Sequence, residues 1–104
     1  MSLRITQRRS FALVKEIQGT PVSNTSVTVG ATSTEIAAAN TDRVEIIIVN
    51  DSDEEVYLAQ GAAAVMNKGI RLNRRGGTYI SGIFTGVING ICASGSKNVC
   101  VSEL

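Results

Sequence analysis

Two cysteines, Cys92 and Cys100, are the strongest nucleophiles in a chain that contains no histidine. Residues paired across a hairpin keep a constant sum of positions, and a turn centred on Ser96 sets the two thiols opposite each other. Ile91 then faces Val101 and Ala93 faces Val99 on the other, core-like face. A cross-strand disulfide is conceivable in that register, whereas two reduced thiols in a packed or intersubunit surface are the plainer expectation in a reducing compartment. A reactive thiolate needs a neighbouring cation, and only Lys97 is near in sequence. The lack of His removes the commonest general acid and base, and with it Ser-His-Asp and Cys-His arrangements and nearly all zinc sites.

Three charged clusters remain. Asp51, Asp53, Glu54 and Glu55 form an oxygen-rich loop, but without the glycine and distal glutamate of a calcium loop; Asx turns account for the same residues. Arg71, Arg74 and Arg75 precede Gly76-Gly77, a combination of guanidinium forks and open amides that suits anions and equally suits a solvated turn. Gly95-Ser96-Lys97 is not a phosphate loop: Gly90 stands where the first glycine of that loop would, but Asn98-Val99-Cys100-Val101 does not continue as the helix the loop requires. The third cluster is the N-terminal arm, where Arg4, Arg8, Arg9 and Lys15 stand before the first acid, Glu16. Residues 16–104 carry six cations and nine acids, so a net charge of +1 conceals a basic arm on a mildly acidic body. An acidic partner surface or a neighbouring subunit is the expected target of Arg4, Arg8, Arg9 and Lys15. No catalytic, cofactor-binding or metal-ligating residue is assigned.

The elements that must position these groups are strands. Among 104 residues, 11 are Val, 11 Ile and 9 Thr against 5 Leu, a balance that fits a pleated sheet. Strands are expected at residues 26–29, at 34–39 (or a short helical turn there), and at 43–50, where both faces are apolar and the strand is therefore central. Residues 55–59 resume the alternation after a dense turn, which reads as a hairpin with 43–50. Further strands are expected at 69–72 and 78–80, with a last pair at 87–93 and 98–101. Eight of the ten glycines fall from Gly61 onward, mostly between these runs. Regularly spaced short strands give an all-β, antiparallel β-sandwich, with a jelly roll as one form of it, preceded by an extended arm. The division is an arm over 1–18 and a sandwich over 19–104. No run approaches the roughly 20 apolar residues of a membrane span, and 11–14 is too short for a signal-peptide core, so synthesis in a cytoplasm is expected. Net +1 and four aromatic residues, Phe11, Tyr57, Tyr79 and Phe84, speak against nucleic acid as the partner.

The sequence Ala39-Asn40-Thr41-Asp42-Arg43, the apolar run 46–49, Asn50-Asp51-Ser52, Val56-Tyr57-Leu58 and Gly76-Gly77-Thr78-Tyr79 resemble a pattern of small all-β structural proteins of tailed bacteriophages. The resemblance covers about residues 25–102, leaves the arm outside, and rests on turn formers and core strands, not on a catalytic signature. It implies a virion component made in the host cytoplasm: a capsid decoration (cement) protein, or a neck, head-fibre or tail-fibre module. Its partners would be the major capsid protein or another virion protein and copies of itself, as a trimer, with no enzyme activity, cofactor, nucleic acid or membrane involved. Contact of that kind buries on the order of 1,200–2,000 Å² per interface, which an arm helps a small domain to reach. A small ligand-binding β domain is the alternative of another class, and it requires Asp53, Glu55 and Arg71 to meet in one cleft.

Overall fold

The computed structural model describes residues 23–104, which form eight strands and no helix. They are β1 (Ser23–Val29), β2 (Thr34–Ala37), β3 (Ile46–Asn50), β4 (Val56–Gln60), β5 (Ile70–Leu72), β6 (Thr78–Ser81), β7 (Ile88–Cys92) and β8 (Lys97–Glu103). Two four-stranded sheets run in the orders β1-β8-β3-β6 and β2-β7-β4-β5, with every pair antiparallel. Successive strands mostly alternate between the sheets, and the first strand pairs with the last. That connectivity is a jelly roll, so the expected antiparallel sandwich is what the chain forms. The expected arm lies outside the described residues.

The core is built by strand alternation. On β3, Ile46, Ile48 and Asn50 are fully buried while Ile47 and Val49 face out, and on β4 Val56 and Leu58 point inward. One continuous apolar cluster joins Val29, Ile46, Ile48, Val99 and Val101 of the first sheet to Ile36, Val56, Leu58, Leu72, Ile88 and Cys92 of the second. Each large aliphatic side chain buried this way contributes about 1.5–3 kcal/mol. Two strands depart from alternation: β7, where Gly90, Ile91 and Cys92 are all buried, and β2, where consecutive Ile36 and Ala37 are both buried. The β2–β7 register shifts between Glu35 and Ala37, and such a bulge turns one residue more toward the core.

Two expected pairings are overturned. β3 and β4 do not form a hairpin: β3 lies between β8 and β6, and β4 between β7 and β5. Residues 51–55 carry the chain from one sheet to the other. β7 and β8 are separated in the same way, so Cys92 sits opposite Val56 in one sheet while Cys100 sits between Ser26 and Val49 in the other. Both thiols are free. The run 34–39 resolves as a strand over its first four residues, without a helical turn.

Candidate functional site

The polar chemistry of the described residues is concentrated at the two ends of the sandwich. At one end, Arg43 leaves the β2–β3 connection and turns inward, only 5% exposed. Its Nε donates to Glu103 Oε2 at 2.6 Å, Nη1 to the carbonyls of Phe84 and Gly86 at 3.1 Å each, and Nη2 to the Ala38 carbonyl at 2.8 Å. One guanidinium thus clasps three segments: the end of β2, the β6–β7 loop and the end of β8. Asn40 prepares the turn, its Oδ1 accepting from the Asp42 amide while its own amide donates to Thr85 O.

At the other end, fully buried Asn50 closes β3. Its Nδ2 lies 2.7, 3.0 and 3.2 Å from the carbonyls of Glu54, Leu72 and Asn73, and its Oδ1 accepts from Ser52 Oγ at 2.6 Å. The amides of Arg75 and Gly76 donate to Ser52 O and Asn50 O, pressing the β5–β6 turn onto the crossover. Gly77 is fixed by space: a Cβ there would stand 2.3 Å from the Asn73 nitrogen. Gly76 is fixed by its φ of 120°. Between the ends, Gln60 Nε2 of β4 donates to the Tyr79 hydroxyl of β6 and ties the two sheets.

The charged loop residues also have individual partners. Asp53 accepts from Lys97 Nζ at 2.8 Å, and Glu55 takes both Nε and Nη2 of Arg74 at 2.8 and 3.1 Å. Glu54 receives the Ser94 amide and hydroxyl. The Lys97 hydrogen bond holds the Asp53 carboxyl below its usual range, the Ser94 hydroxyl does the same for Glu54, and the Arg74 guanidinium for Glu55. The same contacts push Lys97 and Arg74 upward. Among the described residues no group of three or more His, Cys, Asp or Glu is placed to hold a metal ion.

Of Asp53, Glu55 and Arg71, the three residues required to meet in a ligand-binding cleft, Asp53 alone lines the open depression at this end. The open depression at this end is lined by Asp51, Ser52, Asp53, Arg75 and Gly76, while Glu55 is engaged with Arg74 and Arg71 projects from β5 opposite Tyr57. Arg71 is still near enough to Glu55 to help Arg74 lower its carboxyl, whereas Arg75 acts on Asp53. Cys92 is fully buried, and burial pushes its thiol above the ordinary range, the reverse of what a nucleophile needs. The partner-binding residues expected in the arm, Arg4, Arg8, Arg9 and Lys15, lie outside the described residues. No helix of the described residues is long and apolar enough to cross a membrane.

Sequence reasoning assigned no role of their own to the two residues that organise the ends, Arg43 and Asn50. The available signal was their placement: each is a polar residue flanking an apolar strand, and both belong to the pattern that carries the phage resemblance. Exposed apolar side chains were not singled out either: Ile83 is 91% exposed in the β6–β7 loop, and Ile80, 60% exposed on edge strand β6, stands beside Ile47 on the outer face of the first sheet. Comparison of the chain with protein-family models, with curated proteins and with solved structures found no match.

Proposed function

We propose that the chain is a structural component of a bacteriophage particle, a capsid decoration (cement) protein that works by non-covalent contact, assembles with copies of itself and catalyses no reaction. One observation carries the reading. The polar residues of the pattern that resembles small phage structural proteins, Asn40, Arg43, Asn50, Ser52 and Tyr79, are committed to bonds within the sandwich. A module that acts by contact needs a stiff scaffold, because every side chain ordered on binding subtracts from affinity. The jelly-roll connectivity supports the reading by analogy, since the architecture recurs in viral capsid domains, though also in lectins and cupins. The basic arm is the element assigned to the partner, with Arg4, Arg8, Arg9 and Lys15 meeting acidic surface.

The test is particle occupancy. Replacing Arg4, Arg8 and Arg9 together with Ala should leave the domain folded and weaken binding to its particle in a salt-dependent way. Undiminished occupancy at physiological salt refutes the assignment of the arm. Copy number on the particle decides the location: many copies spread over the head fit decoration, and a few at one vertex fit a neck or fibre module.

A further inference from the structure

The outer face of β3 is unusual for a sandwich strand, because it is apolar where solvent is expected. Ile47 and Val49 point away from the core and remain only half-buried. The outward row continues at both ends with acids. Glu45 is held in line by reciprocal backbone bonds with Leu104, at 3.1 and 2.9 Å. Asp51 donates its amide to Asn98 O at 3.1 Å, and its carboxylate accepts from Asn98 Nδ2, on the outward row of β8, at 3.5 Å. The row therefore reads acid, apolar, apolar, acid over Glu45, Ile47, Val49 and Asp51. Beside it a trough of about 340 Å³ runs over β8, with Cys100 and Ser102 in its floor and Asn24 on its far side.

The geometry points to residues 9–15 of the same chain as the occupant of this trough. In extended form Arg9, Phe11, Leu13 and Lys15 share one side and read base, apolar, apolar, base. The two rows have the same period and the same length, roughly 20 Å for six residues of strand. Direction and reach also agree. Ser23 pairs with Glu103, which in turn faces Ile46, so β1 begins at the Glu45 end of the sheet. Residues 16–22 contain Gly19 and Pro21, two turn formers, and can span about 23 Å, against the roughly 10 Å between packed layers. A chain returning there sets Lys15 on Glu45 and Arg9 on Asp51, antiparallel to β1, and buries Phe11 and Leu13 on Ile47 and Val49. In the free protein Arg4 and Arg8 then stay open, and on the particle Arg9 and Lys15 exchange Asp51 and Glu45 for the acidic surface of the partner. The inference is independent of the virion reading, since it concerns the free protein.

Cys100 reports on the trough directly. The full-length protein is treated with a disulfide-exchange reagent, and the modified cysteine is identified by peptide mass. The arm should slow modification of Cys100 so that Phe11→Asp combined with Leu13→Asp accelerates it by about tenfold or more, while Cys92, fully buried, stays silent and certifies the fold. Lys15→Glu should accelerate it by up to about fivefold, and adding Glu45→Lys should restore the slow rate. Equal rates in the parent and the Phe11/Leu13 variant overturn the proposal. So does protection that disappears on dilution, which would assign the trough to a second copy. If Cys92 reacts in the Phe11/Leu13 variant, the Lys15 and Glu45 exchange decides the matter by the same criterion.

Discussion

Replacing Arg43 with alanine removes one side chain and releases three segments at once. The four bonds are charge-assisted, and the Glu103 carboxylate left behind is only 21% exposed. Deleting one partner of a buried ion pair costs about 3–5 kcal/mol, because the remaining charge is uncompensated. Each orphaned carbonyl adds up to about 1–3 kcal/mol where water does not reach it, and these costs overlap instead of summing. A loss of about 3–5 kcal/mol is thus expected, a large share of the roughly 5–15 kcal/mol of an ordinary domain. In thermal unfolding a domain of this size loses about 4–8 °C per kcal/mol, so Arg43→Ala should melt at least about 12 °C below the parent. Arg43→Lys should fall between the two, since an ammonium cannot reproduce the planar fork that meets three carbonyls and a carboxylate together. Urea unfolding followed by circular dichroism gives the free energy directly. A cost under about 1 kcal/mol for Arg43→Ala would refute the claim that this clasp holds the end of the sandwich.

The other buried lock makes a sharper chemical prediction. Asn50→Asp, nearly the same shape, should destabilise more than Asn50→Ala, because it aims a carboxylate at the carbonyls of Glu54, Leu72 and Asn73 where an amide donated; paired urea titrations check the order. Gly77→Ala should cost more than Gly76→Ala, since a Cβ at 77 meets the Asn73 backbone whereas at 76 it meets open space and only the φ is strained; comparing the melting temperatures of the two variants tests this. Asp53, Glu54 and Glu55 have folded-state pKa values lowered by Lys97, Ser94 and Arg74, so their stabilisation is present at neutral pH, above the unfolded values. It is lost as pH falls through the lowered folded values, and melts taken from pH 7 downward should decline in the acid range, less so for Glu54→Gln. Reducing agent should leave the melting temperature unchanged, as both thiols are free.

What the sequence revealed and what it concealed have separate physical causes. The central place of β3 was legible because apolar residues on both faces of a strand leave a pattern independent of its partners. The choice of partners was not legible. The alternation of residues 43–50 and 55–59 is the same whether the turn between them returns within one sheet or crosses to the other, and the difference lies in Asn50, whose amide is buried under Leu72 and Asn73, 22 and 23 residues away. The same ambiguity placed Cys92 opposite Cys100. In the folded chain Cys92 points between the sheets and Cys100 points out of the other one. The acidic and basic clusters were visible as clusters, but their neutralisation by Lys97, Ser94 and Arg74 depends on loops that only the closed sandwich brings together.

The pairing of β1 with β8 also sets a timetable. β8 is an interior strand, flanked by β1 and β3, and Glu103 near its end receives Arg43. As the chain leaves the ribosome, β1 waits without a neighbour while more than seventy residues follow it, and half of the barrel-like wrap cannot be completed before residues 97–103 emerge. Contacts this distant in sequence make folding slow. The nascent protein therefore gains its first sheet late, in nearly a single event once residues 97–103 have emerged, and β1 stays exposed until they do.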